Sequence, residues 1–272
     1  MSFDNRPIGV FDSGLGGLTV VKALKEQLPG EDIIYLGDTA RVPYGSRSKD
    51  TILQYALEDA WFLIQRQVKC IVIACNTVAS MALPTLQKKW PDQLFISVVE
   101  AGVVAVLQQK DLERFLLLGT HATVNSDRYR AMIHEKAPQI SFYAQACPLF
   151  VPLVEEGMQD HAVSLTIAKE YVSKYAEINP QLCLLGCTHY PLLKNTIKKV
   201  LPENTKVIDS AEASAKFIYQ KLYETNQLAS KGVEGRKQFF VTDMPFSFFQ
   251  IANHFIGTEI ESVEKVQLEM IL

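Results

Sequence analysis

The sequence predicts an α/β protein with two similar three-layer domains, mainly parallel sheets and an active site in the cleft between the domains. Apolar, β-branched runs alternate with segments of helical periodicity along the whole chain, which is the pattern of βαβ units. Two of these runs, within Ile71–Thr77 and Leu182–His189, end in a cysteine that polar residues follow. Because ligands bind at the carboxyl edge of open parallel sheets, we expect both cysteines at such an edge.

The two cysteine strands repeat one pattern: an apolar run, a small residue, a cysteine and two polar residues. A weaker repeat lies upstream of each cysteine strand. There, Ile8–Ser13 and Phe115–His121 are apolar runs that also end in polar groups. Two similar halves that each offer a thiol at a strand end can face each other across a cleft. Such thiols would reach opposite faces of one small substrate.

The first half of the chain has the order expected of βαβ units. A glycine-rich turn leads into a helix that stops before Pro29-Gly30, because proline cannot continue a helix. Met81, Leu83 and Leu86 have helical spacing. Strands are predicted at 7–11, 32–36, 69–74 and 94–99, and helices at 18–28, 50–66, 78–90 and 103–109, with an irregular loop at 37–48.

The second half continues the alternation. Asn125 or Ser126 is expected to cap the helix at 123–136. Strands are predicted at 113–118, 140–144, 181–185, 205–208, 238–242 and 260–267. Helices are predicted at 123–136, 162–175, 191–201, 211–224 and 245–256, with a loop and short helix at 147–157 and a surface loop at 229–237.

The chain length of 272 residues suits one large domain or two modest domains. We predict a discontinuous first domain of residues 1–99 and 209–272, and a second domain of residues 100–208. The strand–helix–strand run at the C-terminal end is too small to stand alone, so we expect it to return to the first domain.

Composition excludes several classes of partner. The net charge is −3, from 27 basic and 30 acidic residues, so no nucleic-acid or anionic membrane partner is predicted. No apolar run approaches the roughly 18 residues of a membrane span, and the N-terminus lacks the apolar region of a signal peptide. The odd number of cysteines, 5, fits free thiols in a reducing cytoplasm. Cys183 and Cys187 lack a second ligand pair, so no metal site is predicted.

The glycine turn after the first strand, Gly14–Gly17, resembles a dinucleotide-binding loop only in part. The G-x-G-x-x-G fingerprint places its third glycine where Thr19 stands, and no Walker lysine follows. A turn whose N–H groups hold a carboxylate fits better, so no cofactor is predicted. Asp12 is either an N-cap of the helix or a proton-handling neighbour of Cys75, and Ser13 follows it.

The loop around Tyr44 and Gly45 has two interpretations. It is either a surface turn, built on proline and glycine, or a site where the Tyr44 hydroxyl and backbone N–H groups receive a ligand carboxylate. Glu155 and Glu156 have two interpretations as well. They are either the solvated start of a helix, or one of them supports the site.

Polar pairs follow both cysteines directly: Asn76-Thr77 after the first, and Thr188-His189 after the second. Taken alone, these are helix-capping residues. As a pair at equivalent sites, they offer donors for an amino group and two carboxylates. His189 is better placed than the other histidines to adjust the proton affinity of a thiol.

Five ordered motifs together resemble the bacterial glutamate racemases of the aspartate/glutamate racemase family. They are Phe11–Thr19, Gly37–Gly45, Ala74–Thr77, Cys147–Gly157 and Gly186–Leu193. The resemblance implies a cofactor-independent racemase that converts L-glutamate to D-glutamate for peptidoglycan, with the active site between two α/β domains. A homodimer is one assembly that we keep open.

The resemblance also implies a role for each candidate residue. Cys75 and Cys187 would be the two bases, with Cys75 acting on D-glutamate and Cys187 on L-glutamate. From their positions beside the thiols, Asp12 and His189 are expected to tune the proton transfers, and Glu155 is expected to support them. The residues that bind or position the substrate would be Asp12, Ser13, Tyr44, Gly45, Asn76, Thr77, Thr188 and His189.

Two alternatives stay open at this point. One is a racemase of another acidic amino acid such as aspartate, because substrate length cannot be read from single residues. The other is a thiol hydrolase that uses Cys187 with His189, which would leave Cys75 without a role. A non-enzymatic binding protein has no reason to repeat a thiol at two strand ends.

Overall fold

Two sheets of parallel strands form from the apolar runs of the sequence. The computed structural model describes residues 3–230, 234–244, 248–257, 260 and 262–269. The strands are β1 (Ile8–Asp12), β2 (Ile33–Gly37), β3 (Cys70–Ile73), β4 (Leu94–Ser97), β5 (Arg114–Gly119), β6 (Ser141–Ala146), β7 (Leu182–Gly186), β8 (Lys206–Asp209), β9 (Lys237–Val241) and β10 (Glu264–Lys265). Every strand pairing among the described residues is parallel. The predicted α/β class is therefore confirmed.

Helices connect almost all of these strands. They are α1 (Leu18–Gln27), α2 (Lys49–Ile64), α3 (Asn76–Met81), α4 (Leu83–Lys89), α5 (Val98–Leu107), α6 (His121–Asn125), α7 (Arg128–Lys136), α8 (Phe150–Glu155), α9 (Ala162–Val172), α10 (Lys194–Lys198), α11 (Ser210–Glu224) and α12 (Phe248–Ile256). Strands β1, β3 and β7 are buried along their whole length, so helices cover both faces of each sheet. This is the three-layer arrangement that the sequence predicts.

The two sheets share one strand order. The first sheet runs β10-β9-β2-β1-β3-β4, and the second runs β6-β5-β7-β8. The segments β2-β1-β3-β4 and β6-β5-β7-β8 therefore correspond strand by strand. In this correspondence β3, which precedes Cys75, matches β7, which precedes Cys187. The repeat inferred from the cysteine strands thus has a structural counterpart.

The strand register sets what each sheet presents at its carboxyl edge. Phe11 lies opposite Ile73 in the first sheet, so the residues after β1 and β3 are neighbours. Gly119 lies opposite Gly186 in the second sheet, so Thr120 and Cys187 follow adjacent strand ends. The register therefore gathers the polar strand ends of each half at one edge.

Helices α5 and α11 link the two sheets. Helix α5 contacts both β4 and β7, and α11 packs against α1 as well as β8. Each of these helices begins directly after an edge strand. Strands β9 and β10 extend the first sheet next to β2. The domain boundaries at residues 99 and 209 stay a prediction.

Three predicted helices differ from the helices observed. The one at 78–90 is divided into α3 and α4, because Pro84 occupies the first turn of α4, where proline is tolerated. The one at 123–136 is divided at Asp127, whose φ of 54° is left-handed. Helix α5 begins at Val98 rather than at 103, because the Ser97 hydroxyl accepts hydrogen bonds from the first-turn N–H groups.

The observed C-terminal helix and strand agree only in part with those predicted from the sequence. Helix α12 begins at Phe248, and residues 245–247 of the predicted helix lie outside the described residues. Of the predicted strand at 260–267, the described residues form a strand only at Glu264–Lys265. Among the described residues, no helix combines the length and the apolar character needed to cross a bilayer.

Candidate active site

The two candidate thiols differ from the other cysteines in exposure. Cys75 and Cys187 are each 7% exposed, whereas the other three are completely buried: Cys70, Cys147 and Cys183. All five are free thiols. A nucleophile or proton carrier must be reachable, so the two strand-end cysteines are the ones suited to chemistry.

Cys75 connects β3 to α3, where it is the N-cap residue of the helix. Its Sγ lies 3.5 Å from the hydroxyl oxygen of Ser13. Burial raises the pKa of Cys75 to about 12, and the nearby charge of Asp12 adds to this increase. Hydrogen bonds from Ser13 and the N–H of Val78 act in the opposite direction. Burial and the Asp12 charge therefore both favour the neutral thiol form of Cys75.

Asp12 is fully buried at the end of β1. Its Oδ2 accepts a hydrogen bond from the N–H of Gly14 at 3.1 Å, and its Oδ1 has no partner. Burial raises the pKa of Asp12, against the charge of His189 and nearby backbone N–H groups. A buried carboxylate oxygen without a donor is costly, so this oxygen is suited to accept a hydrogen bond from a bound ligand.

Cys187 follows β7, and His189 lies two residues further along the chain. Nε2 of His189 lies 3.0 Å from Oε1 of Glu155 at the end of α8. Burial lowers the pKa of His189, but hydrogen bonds to Cys187 and Glu155 outweigh it and raise the pKa to about 10. His189 is therefore an imidazolium near pH 7. A positive charge beside a cysteine is the usual setting of a reactive thiol.

The two thiols belong to one site. A charge on Cys187 raises the pKa of Cys75, so the sulfurs are close enough to interact electrostatically. The ionisable side chains beside the two thiols are of opposite type, one acidic and one basic. Cys75 has a carboxyl neighbour, Asp12, whereas Cys187 has a cationic neighbour, His189. One site thus holds two thiols beside unlike ionisable partners, which suits a pair of acid–base groups.

The glycine turn meets the second sheet at this site. A Cβ on Gly16 would lie 2.3 Å from Oγ1 of Thr188 and 2.5 Å from Nδ1 of His189. The hydroxyl of Thr19 donates a hydrogen bond of 3.1 Å to the carbonyl oxygen of Thr188. Glycine is therefore required here by the close approach of the Thr188-His189 pair.

Three threonine hydroxyls join the two halves near Cys75. Oγ1 of Thr77 lies 3.0 Å from Oγ1 of Thr120 and 3.5 Å from Oγ1 of Thr123. A Cβ on Gly45 would lie 3.2 Å from Cβ of Thr120. The predicted ligand residues Gly45 and Thr77 thus meet at Thr120. In the sequence, Thr120 is one of the polar groups that end the apolar run Phe115–His121, and nothing local assigns it to the site.

The side chain of Asn76 is held by protein groups. Its Oδ1 accepts a hydrogen bond of 2.7 Å from the hydroxyl of Tyr129, and its Nδ2 donates to Oγ of Ser210 at 3.4 Å. Tyr129 lies on α7 and Ser210 begins α11. The Asn76 amide therefore ties the start of α3 to two other helices, which fixes the peptide next to Cys75.

The hydroxyl of Tyr44 also has protein partners. It donates a hydrogen bond to Asp38 and lies 3.3 Å from Oδ2 of Asp59. Tyr44 is 1% exposed. A ligand carboxylate at this loop would therefore meet the backbone N–H groups of Tyr44 and Gly45 rather than the phenol.

Sequence reasoning missed four further residues of the site. The ring of Phe255 on α12 meets the ring of His189 edge-on, with centroids 5.1 Å apart. The others are Gly16, Tyr129 and Ser210. Gly16 was noted only as part of the turn. The contacts of Phe255, Tyr129 and Ser210 are long-range and leave no local signal in the sequence.

Comparison with known proteins places the chain in a class of enzymes. Residues 8–218 match the Asp/Glu/hydantoin racemase family. The chain belongs to this family, whose members invert a stereocentre. The family and the racemase class predicted from the sequence motifs are confirmed.

Individual relatives are similar over nearly the full chain. The glutamate racemase of Geobacter metallireducens is 40% identical over 264 residues, which is 97% of each chain. The crystal structure of glutamate racemase from Francisella tularensis in complex with D-glutamate is 43% identical, with a TM-score of 0.91 over 97% of this chain and 98% of that one. The enzyme from Thermus thermophilus in complex with β-chloro-D-alanine is 41% identical, with a TM-score of 0.87 over 98% and 99% of the two chains.

Proposed function

We propose that the protein is a cofactor-independent glutamate racemase that interconverts L- and D-glutamate by a two-cysteine, two-base mechanism. One observation carries the proposal: two thiols, each buried except for 7% exposure, stand at corresponding strand ends of two similar sheets, each beside an ionisable partner. The substrate assignment is supported by the likeness to glutamate racemases, one of them in complex with D-glutamate.

The chemistry explains why two thiols are needed. The α-proton of an amino acid is a very weak acid, so a short-lived carbanion must be stabilised by placement and electrostatics. A thiolate on one side takes the α-proton, and the electron pair of the C–H bond stays on the α-carbon. The thiol on the other side then gives its proton to the opposite face. The second sulfur is left as a thiolate, so the reverse reaction exchanges the two roles.

Each thiol has its own proton-handling partner in the proposed mechanism. Cys75 acts on D-glutamate with Asp12 beside it. Cys187 acts on L-glutamate with the His189–Glu155 pair, whose Nε2 and Oε1 atoms are 3.0 Å apart. The unpartnered Oδ1 of Asp12 supports a contact with the substrate amino group.

The remaining candidate residues bind or position the substrate. Backbone groups of the loop at Tyr44 and Gly45 receive one carboxylate, and Thr188 lies at the glycine turn. The full proposed set is Ser13, Tyr44, Gly45, Asn76, Thr77 and Thr188, together with Asp12 and His189. The side chain of Asn76 serves by fixing the backbone beside Cys75.

We propose that the product D-glutamate supplies peptidoglycan synthesis in the cytoplasm. The proposed assembly, a homodimer, is to be tested. The chain would divide at residues 99 and 209 into two domains with the site between them. Measurement of solution mass would settle the assembly.

One assay tests the function. Purified protein, dialysed against a chelator, is mixed with L- or D-glutamate without added cofactor. Circular dichroism follows the ellipticity of the glutamate. Both enantiomers are expected to decay to the racemate. Aspartate is run in parallel. Racemisation of aspartate alone, or activity restored only by an added cofactor, would contradict the proposal.

A further inference from the structure

Three buried carboxyl groups lie behind the loop that carries Tyr44 and Gly45. Asp38 follows β2, and Glu58 and Asp59 are neighbours on α2. All three are buried, Asp38 and Asp59 completely. The proposed mechanism gives none of them a direct role.

A single arginine contacts all three acids. Arg41 donates hydrogen bonds to Asp38 through Nε and to Glu58 through Nη1. Its Nη2 lies 3.4 Å from Oδ1 of Asp59. Three ionised carboxylates around one guanidinium would leave surplus negative charge in a buried place, which is costly. The arrangement therefore favours a proton on one of the acids.

The hydroxyl of Tyr44 identifies the protonated acid. A phenol has one proton, which it can donate to only one of two carboxyl groups. Tyr44 makes its shorter hydrogen bond to Asp38, which also accepts one of 2.8 Å from Oγ1 of Thr242 and another from Arg41. Asp59 Oδ2 lies 3.3 Å from the phenol oxygen, so once the phenol proton goes to Asp38, a proton on Asp59 would supply the donor for this contact.

Burial also favours the protonated form of Asp59. It raises the pKa of Asp59 well above the usual range, and the charge of Asp38 adds to the increase. The Arg41 charge acts in the opposite direction, as would a hydrogen bond donated by Tyr44 to an ionised Asp59. Geometry and desolvation thus agree on a neutral Asp59.

The loop that these groups hold reaches the second sheet. Tyr44 begins a short 3-10 turn, and Gly45 in that turn approaches Thr120, where an added Cβ would be 3.2 Å away. Thr120 in turn bonds Thr77, the second residue after Cys75. A shift of Tyr44 would therefore move the backbone that faces the cleft.

We propose that Asp59 is a positioning residue of the racemase reaction: as a neutral acid it donates a hydrogen bond to Tyr44 and so holds the Tyr44–Gly45 backbone in place for the substrate carboxylate. This inference rests on the proposed function. Asp59 touches no reacting atom and acts through Tyr44.

The kinetic test compares Asp59→Ala with Asp59→Asn. Loss of the donor in Asp59→Ala is expected to raise KM for glutamate about tenfold, with a smaller change in kcat, because one hydrogen bond is lost. Asp59→Asn keeps an N–H donor and is expected to stay within about twofold of wild type. The matched control is Asp50→Asn, which changes an exposed acid at the start of the same helix.

A double-variant test separates positioning from general loss of structure. Tyr44→Phe should raise KM as Asp59→Ala does, and the combined variant should be no worse than either one. Additive effects of the two changes would contradict the inference. So would a KM for Asp59→Asn as high as that for Asp59→Ala.

A spectroscopic test reads the proton directly. The infrared difference between wild type and Asp59→Asn at pH 7 should contain the carbonyl band of a protonated acid, and the difference with Asp50→Asn should lack it. Absence of the band would overturn the inference. Because this spectrum needs no substrate, it still decides the state of Asp59 if wild type fails to racemise glutamate, a result that would contradict the proposed function instead.

Discussion

The hydroxyl of Thr77 lies 3.0 Å from the hydroxyl of Thr120, so the helix after the first cysteine meets the first strand end of the second sheet. A second contact between the halves occurs where Gly16 approaches Thr188. The two sheets thus contact each other through residues beside each thiol. Small changes at either contact are expected to alter the distance between the proposed bases.

Replacement of either strand-end thiol should abolish racemisation. A serine hydroxyl is far too weak an acid to serve as the base, so Cys75→Ser and Cys187→Ser should each lose a factor of roughly 10²–10⁴ or more in kcat. The control is Cys183→Ala, a buried thiol on the strand that precedes Cys187. Circular dichroism of glutamate measures the rates. Full activity in either serine variant would remove the two-base mechanism.

Solvent deuterium should enter the product rather than the recovered substrate. In heavy water, the proton that is returned comes from the second, solvent-equilibrated thiol. Early NMR spectra of the wild-type reaction should therefore place deuterium mainly at the α-carbon of the product enantiomer. Equal labelling of substrate and product at early times would indicate one shared base.

The partner of His189 should set the alkaline limit of the reaction. The pKa of His189 is raised from 6.5 to about 10, so the stability contributed by its imidazolium is complete below pH 6.5 and is lost as the pH rises through about 10. Glu155→Gln removes a charge that raises this pKa. The decline in kcat/KM and in the free energy of unfolding should therefore begin at lower pH.

The adjacent acid provides the control for this pH prediction. Glu156→Gln changes an exposed carboxylate next to Glu155 and should leave the pH profile as in wild type. Titration of the histidine by NMR would give the shift directly. An unchanged alkaline limit in Glu155→Gln would show that the pair does not govern it.

A methyl group at Gly16 should damage the site without unfolding the protein. Its Cβ would lie 2.3 Å from Thr188, so that residue and His189 must move. A displacement of this size near the reacting groups is expected to lower kcat/KM roughly 10- to 100-fold. Glu26→Ala, on the exposed face of α1, is the control. Activity in Gly16→Ala equal to wild type would mean that the Thr188-His189 pair tolerates displacement.

A buried ion pair far from the thiols should affect stability alone. The ammonium of Lys69 is completely buried, pairs with Glu31 and donates to the carbonyl oxygens of Asp4 and Gln227 at 2.8 and 2.7 Å. Lys69→Met leaves Glu31 buried without its cation, which costs about 3–5 kcal/mol. Urea unfolding should show this loss, while KM at low temperature stays near that of wild type.

The strand ends and the two thiols were predictable because their signal is local. An apolar run followed by a cysteine and polar residues requires only neighbouring positions, and the Cys75 and Cys187 patterns reinforce each other. Helix boundaries were harder to predict from the sequence. The periodicity of 123–136 continues through Asp127, and only its left-handed backbone reveals the break. Pro84 was a local signal for the division of 78–90, because proline favours the first turn of a helix.

Contacts between distant segments could not be read from the sequence. Tyr129 reaches Asn76, and Phe255 reaches His189, only after the sheets have formed. The same holds for the Tyr44 hydroxyl, which the sequence offered to a ligand and which is bonded to Asp38. Side-chain partners of this kind depend on tertiary packing, whereas the residue types that face the cleft do not.

The unlike partners of the two thiols have a thermodynamic consequence. L- and D-glutamate are mirror images, so their equilibrium constant in water is unity, and any racemase must have equal kcat/KM values in the two directions. The carboxyl beside Cys75 and the imidazolium beside Cys187 make the two half-reactions unequal in detail. Under this Haldane constraint the inequality can appear only as matched differences, in which the enantiomer with the higher kcat also has the proportionately higher KM.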